Sequence, residues 1–116
     1  MDAQALIAKA LARREQWVDL EPGKRVRIRR PAETELPGLR EGVTVERVIA
    51  CTVGWEGFSE VDLLGATVGS EDALEFDIGL WDVLVRDRAD WLATVANAIV
   101  KAVTEHLKQK DAAAKN

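Results

Sequence analysis

The chain has 116 residues, of which 47% are hydrophobic and 31% charged, which fits one globular domain with a modest core and excludes a disordered chain. Its net charge of -4 disfavours nucleic acid or a membrane surface as a partner, because both require an excess of cationic side chains. The single cysteine excludes an intrachain disulfide, and no signal peptide or long apolar run is recognisable, so we expect a protein of the reducing cytosol.

The N-terminal residues predict a helix followed by a β-hairpin. Residues 3–16 place apolar side chains at helical spacing among good helix formers. A proline and a glycine then supply a tight turn, and residues 25–29 alternate arginine with valine or isoleucine, which is typical of a half-buried strand. We therefore expect a short amphipathic helix and a β-hairpin over about residues 17–30.

The middle of the chain is less regular. Residues 31–42 are rich in proline, glycine and charged side chains, so we interpret them as a surface connection without an element of its own. Residues 43–53 carry apolar side chains at the i, i+3, i+4 spacing of a helix, and we predict a helix there. The same residues are rich in β-branched side chains, however, so a buried strand stays open as the alternative.

The C-terminal half predicts helices with identifiable starts and ends. Residues 59–65 resemble a capped helical turn that ends at a glycine, and residues 66–76 read as a loop. Asp77 can cap the next helix, which we expect to end at a bend near Arg88. The last helix, about residues 90–108, has a continuous apolar stripe and is the best-defined element.

These elements predict a mainly α fold, a compact helical domain with a short N-terminal β-hairpin, for which α+β is the alternative label. Residues 1–108 form the single domain in this interpretation. Residues 109–116 lose the apolar stripe, and we expect a flexible C-terminal tail there.

No combination of side chains in the sequence predicts an enzyme. The only histidine, His106, lies far along the chain from Cys51, so no nucleophile is paired with a base. A cationic side chain near a helix end is already favoured by the helix dipole, and Cys51 has the apolar neighbours of a small buried hydrophobe. Six acidic residues could supply a carboxylate pair, but most of them sit at helix starts, where acids serve as caps: Glu60, Asp62, Glu71, Asp72, Glu75 and Asp77. No zinc, calcium or phosphate-loop spacing occurs. We therefore expect a non-catalytic protein without metal or cofactor.

Two groups of residues are candidates for contact with a partner. Trp55 and Phe58 lie on a glycine-rich corner, and large aromatic side chains are enriched at binding hot spots, although core anchoring of the loop is an equal alternative. Arg25, Arg27 and Arg29 would form a cationic face of the predicted strand. That face could meet phosphate, but exposed arginines also discourage aggregation of strand edges, and the acidic remainder of the chain can pair with them.

Several short motifs follow one another along the chain. In order they are Trp17, Leu20-Glu-Pro-Gly-Lys24, Arg29-Arg30-Pro31, Val53-Gly54-Trp55-Glu56-Gly57-Phe58, Asp62-Leu63-Leu64-Gly65, Phe76-Asp77 and Asp87-Arg88-Ala89-Asp90-Trp91-Leu92. The Gly-Trp-Glu-Gly corner after an apolar segment is the most telling of these motifs. This order resembles the tail assembly chaperones of long-tailed bacteriophages, over roughly residues 10–108.

The resemblance implies a protein that binds the tape measure protein and recruits tail tube subunits, with a further surface for self-association. Such a protein is made in the cytoplasm of the infected or lysogenic bacterium and is absent from the mature virion. Members of this group are often also made in a longer form by a programmed frameshift, and the residues Ala114-Lys115-Asn116 permit a slippery heptamer in the gene.

Two alternatives belong to other classes. A structural head-tail or minor tail protein of a phage would be found in purified virions. A small regulatory DNA-binding domain would use the arginine strand and would bind DNA in a salt-dependent manner.

Overall fold

The computed structural model describes residues 2–39 and 42–115. Helices account for 57% of the chain and are combined with a three-stranded antiparallel sheet, so the fold is α+β, and the mainly α label holds only in part. Among the described helices, none is both long and apolar enough to cross a membrane. The elements are α1 (Ala3–Ala12), β1 (Glu15–Glu21), β2 (Lys24–Arg29), a 3₁₀ helix (Glu33–Leu39), α2 (Val45–Cys51), β3 (Thr52–Glu56), α3 (Glu60–Leu64), α4 (Ile78–Arg86) and α5 (Ala89–Ala114).

The predicted hairpin is confirmed and forms two of the three strands. β1 and β2 pair antiparallel from Glu15 opposite Arg29, and the turn between them contains Gly23 with a φ of 83°. β1 begins at Glu15, so the first helix is shorter than the prediction over residues 3–16. The third strand, β3, pairs antiparallel with β2 and places Trp55 opposite Val26. The sequence did not predict this strand as a separate element.

Residues 43–53 contain a helix and the start of a strand, so both interpretations of this segment are partly right. In α2 the side chain of Thr44 caps the first turn by accepting a hydrogen bond from the Arg47 backbone N–H at 3.1 Å. The next residue after α2 is Thr52, whose buried hydroxyl donates to the Val48 carbonyl at 2.8 Å. The helical spacing therefore describes the first part of the segment, and the β-branched residues at its end enter β3.

The connection over residues 31–42 contains a 3₁₀ helix, so the prediction that it lacks an element is wrong. None of the helical residues is buried, which agrees with the expected surface position. Glu35 holds the segment in place, because its carboxylate accepts from the Ala32 backbone N–H at 3.0 Å and from the Arg47 guanidinium at 2.7 Å. Positions 40 and 41 of this connection lie outside the described residues.

The C-terminal helices begin where the sequence predicts. Asp77 caps α4 by accepting from the Leu80 backbone N–H at 3.0 Å, and the chain bends between Arg86 and Ala89. α5 continues to Ala114, however, so the helix is longer than the prediction over residues 90–108; position 116 lies outside the described residues. Strong helix formers extend this helix.

The core lies between the inner face of the sheet and the helices α2, α4 and α5. Val26 and Ile28 point inward from β2 and are fully buried, as the alternation of the strand predicts. Trp81 of α4 and Trp91 of α5 are 0% and 2% exposed. Cys51 is also buried. This packing leaves the other face of the sheet on the surface.

Candidate functional site

The arginines of β2 lie on the outer face of the sheet. Arg25, Arg27 and Arg29 alternate with the buried side chains of β2 and are partly exposed, so their predicted placement on one face is confirmed. Opposite them, β1 contributes Glu15 and Trp17 to the same face. The sheet therefore brings all three predicted cationic residues together.

Carboxylates neutralise much of this cationic face. Arg29 donates to Glu15 at 2.7 Å, and Arg27 lies 3.5 Å from the other oxygen of the same carboxylate. Arg25 pairs with Glu56 of β3 at 2.8 Å. Exposed pairs like these add little to stability. Each of them nevertheless neutralises a guanidinium charge that a phosphate would need for binding.

Trp17 gives the outer face an aromatic centre. Its side chain is 37% exposed, and the guanidinium carbons of Arg25 and Arg27 lie 4.0 and 5.6 Å from its ring centroid. A Cβ added at Gly54 would lie 3.3 Å from Nη2 of Arg27, so this glycine leaves room for the guanidinium. The arginines are thus held by cation–π contacts and ion pairs within the protein.

The glycine-rich corner is part of the core, which corrects the expectation that Trp55 and Phe58 offer a contact surface. Trp55 is 8% exposed and Phe58 1% exposed, and their rings stack with centroids 4.4 Å apart. Phe58 also meets Trp91 edge to face at 5.7 Å, while the Trp55 indole N–H donates to the Leu74 carbonyl at 2.8 Å. Packing on residues distant in sequence turns both rings inward, so they have almost no area left for a partner.

α1 contributes no buried residue to the core. Leu6 and Ile7 are 60% and 53% exposed. Together with Ala3 and Ala10 they follow the i, i+3, i+4, i+7 spacing of one helical face. The sequence correctly predicts an amphipathic helix here, but it does not show that the apolar face lacks a partner within the described chain.

Of the two candidate catalytic side chains, His106 contacts a carboxylate and Cys51 is buried. Oε1 of Glu33 accepts a hydrogen bond from Lys110 at 2.7 Å, and Oε2 of the same carboxylate lies 2.9 Å from Nε2 of His106. These two hydrogen bonds lower the pKa of Glu33 to about 2. Burial raises the pKa of the Cys51 thiol to about 11, which suppresses the reactive thiolate. Within the described residues, no group of three or more His, Cys, Asp and Glu side chains is arranged to hold a metal ion.

Comparison of the chain with protein-family models, with curated proteins and with solved structures finds no match in any of the three. The interpretation of function therefore depends on the sequence motifs and on the surfaces described above.

Proposed function

We propose that the protein is a non-catalytic chaperone of tail assembly in a long-tailed bacteriophage, which binds the tape measure protein and recruits tail tube subunits. The observation that carries this proposal is the exposed apolar face of α1. An amphipathic helix whose apolar side chains remain in water is a surface that another protein can cover, and a helical client is well suited to it. This face replaces the aromatic corner as the proposed client-binding surface.

The sequence motifs supply the class of client. The Gly-Trp-Glu-Gly corner, which carries most of the resemblance to tail assembly chaperones, places Trp55 in the core and Gly57 against the backbone of the hairpin turn at Gly23. The motif is therefore tied to the fold, and the binding residues are sought elsewhere. In this proposal the protein acts in the cytoplasm of the infected or lysogenic bacterium and leaves the tail before the virion is complete.

The test is co-purification with the tape measure protein encoded beside this gene. The double variant L6E/I7E places charges on the apolar face of α1 and should remove co-purification while leaving the circular dichroism spectrum unchanged, because neither side chain is buried. V83E is a matched control, since Val83 is a similarly exposed helical side chain, at 65%, on α4.

Undiminished co-purification of L6E/I7E, or an equal loss in V83E, would contradict the proposed surface. Mass spectrometry of purified virions separates the chaperone from a structural head-tail or minor tail protein, because only the structural protein remains in the particle. Recovery of this chain from virions at the level of a structural subunit would refute the chaperone role.

A further inference from the structure

Three arginines differ from the others in the described part of the chain. Arg13, Arg14 and Arg30 form no ion pair with a described carboxylate, whereas the remaining described arginines all do. The chain has more carboxylates than cationic side chains, since its net charge is -4, so most guanidinium groups have a carboxylate nearby. Of these three, Arg30 donates from Nη1 to the Pro31 carbonyl at 3.1 Å, and none of the three is neutralised by a described carboxylate, so their charges are available to an acidic partner.

The fold brings these three residues into one groove. The backbone N–H of Arg30 donates to the Arg14 carbonyl at 2.9 Å, which joins the end of β2 to the residue that precedes β1. α5 forms the facing wall. The groove has a volume of about 420 Å³, and the residues that line it include Ala10, Arg13, Arg14, Arg30, Ala102 and Glu105.

The charges around the groove leave it cationic on one side. Partial burial and the neighbouring charge of Arg14 lower the pKa of Arg30, and Glu33 opposes this only in part. The carboxylate of Glu15 is occupied by Arg29 at 2.7 Å. Glu105 lies on the α5 wall without an ion pair to a described residue. The groove thus has an arginine-rich side and an acidic residue facing it.

We propose that this groove binds an acidic peptide segment of a partner protein, whose carboxylates are held by Arg13, Arg14 and Arg30. Guanidinium groups bind carboxylates with paired N–H donors, and the groove has room for several side chains. A nucleic acid fits less well, because Glu105 repels an evenly charged phosphate backbone, whereas a peptide can present a lysine or a backbone N–H there.

The shape of the groove also suits a peptide. The small side chains of Ala10 and Ala102 line it and let a backbone approach closely. Ala10 also continues the exposed apolar face of α1, so a segment with acidic and apolar residues can occupy the groove and the helix together. Apart from Ala10, which the two surfaces share, this site uses other residues than the proposed client-binding face, and it does not depend on a role in tail assembly.

The test is fluorescence anisotropy of the full chain with three labelled probes. One is a helical peptide of alternating glutamate and leucine pairs, the second is the same peptide with glutamine in place of glutamate, and the third is a single-stranded RNA of equal charge. R14Q and R30Q probe the groove, and R86Q is the matched control because it removes an exposed arginine on α4. If R30Q lowers the melting temperature, its binding result is not used, and R14Q alone tests the groove.

The glutamate peptide should bind with a Kd that rises with salt, and the glutamine peptide should not bind. R14Q should raise the Kd about tenfold, as expected for a lost charge-assisted hydrogen bond, while R86Q changes it by less than about twofold. Absence of binding, equal binding of the two peptides, an equal loss in R86Q, or tighter binding of the RNA would each overturn the proposal. None of these results bears on co-purification with the tape measure protein.

Discussion

Gly57 and Gly65 provide a matched pair for measuring how tightly the glycine-rich corner is packed. Both have a φ of 89°, a backbone conformation that side chains rarely adopt, so an alanine is strained at either position. A Cβ at Gly65 would meet no atom within 4 Å. A Cβ at Gly57 would overlap the carbonyl oxygen of Gly23 and lie 2.9 Å from its carbonyl carbon, so the hairpin turn would have to move.

The two substitutions should therefore differ in cost. G65A should lower the free energy of unfolding by about 1 to 3 kcal/mol, from backbone strain alone. G57A adds a steric overlap with backbone atoms and should cost about 1 to 3 kcal/mol more than G65A. Urea denaturation followed by tryptophan fluorescence and by circular dichroism measures both values. If the two variants lost the same stability within about 0.5 kcal/mol, the hairpin turn would not be held against Gly57 as described.

Three further predictions concern the core and the titrating groups. F58A should lose about 3 to 5 kcal/mol in urea denaturation, and a loss below about 1 kcal/mol would refute core packing of this ring. The carboxylate of Glu33 has its pKa lowered from 4.5 to about 2, so its contribution to stability is present above pH 4.5 and lost as the pH falls towards 2. Thermal melts should show E33Q less stable than the wild type at pH 6 and equal to it near pH 2; a constant difference contradicts this. Because burial raises the pKa of Cys51 to about 11, a thiol reagent at pH 8 should label the native protein far more slowly than the urea-unfolded chain, and equal rates would show an accessible thiolate.

The elements that could be predicted from sequence are those whose pattern is local. The alternation in β2 requires one buried and one exposed face, and the apolar stripe of α5 places Trp91 inside. Caps such as Asp77 mark helix starts because the hydrogen bond that they accept comes from the next turn. The end of α5 was predicted too early because the apolar stripe stops before the helix does.

The burial of Trp55 and the arginine groove could not be predicted, because both depend on contacts between distant parts of the chain. Glycines around an aromatic residue are compatible with an exposed corner and with a buried one. Trp55 is buried because its ring stacks on Phe58 and its indole N–H donates to the Leu74 carbonyl. Similarly, Arg14 and Arg30 are brought together by one backbone hydrogen bond. A sequence signal for Arg30 exists nonetheless, since it breaks the alternation of the strand.

β3 follows α2 directly, so the number of residues at this junction is as restricted as the identity of a core side chain. Cys51 ends the helix and Thr52 begins the strand, so no loop can absorb an inserted or deleted residue. A change of one residue here would exchange the two faces of β3, turning Trp55 to water and removing Gly54 from beneath Arg27. We therefore expect insertions to be tolerated in the loop over residues 66–76 and rejected at this junction.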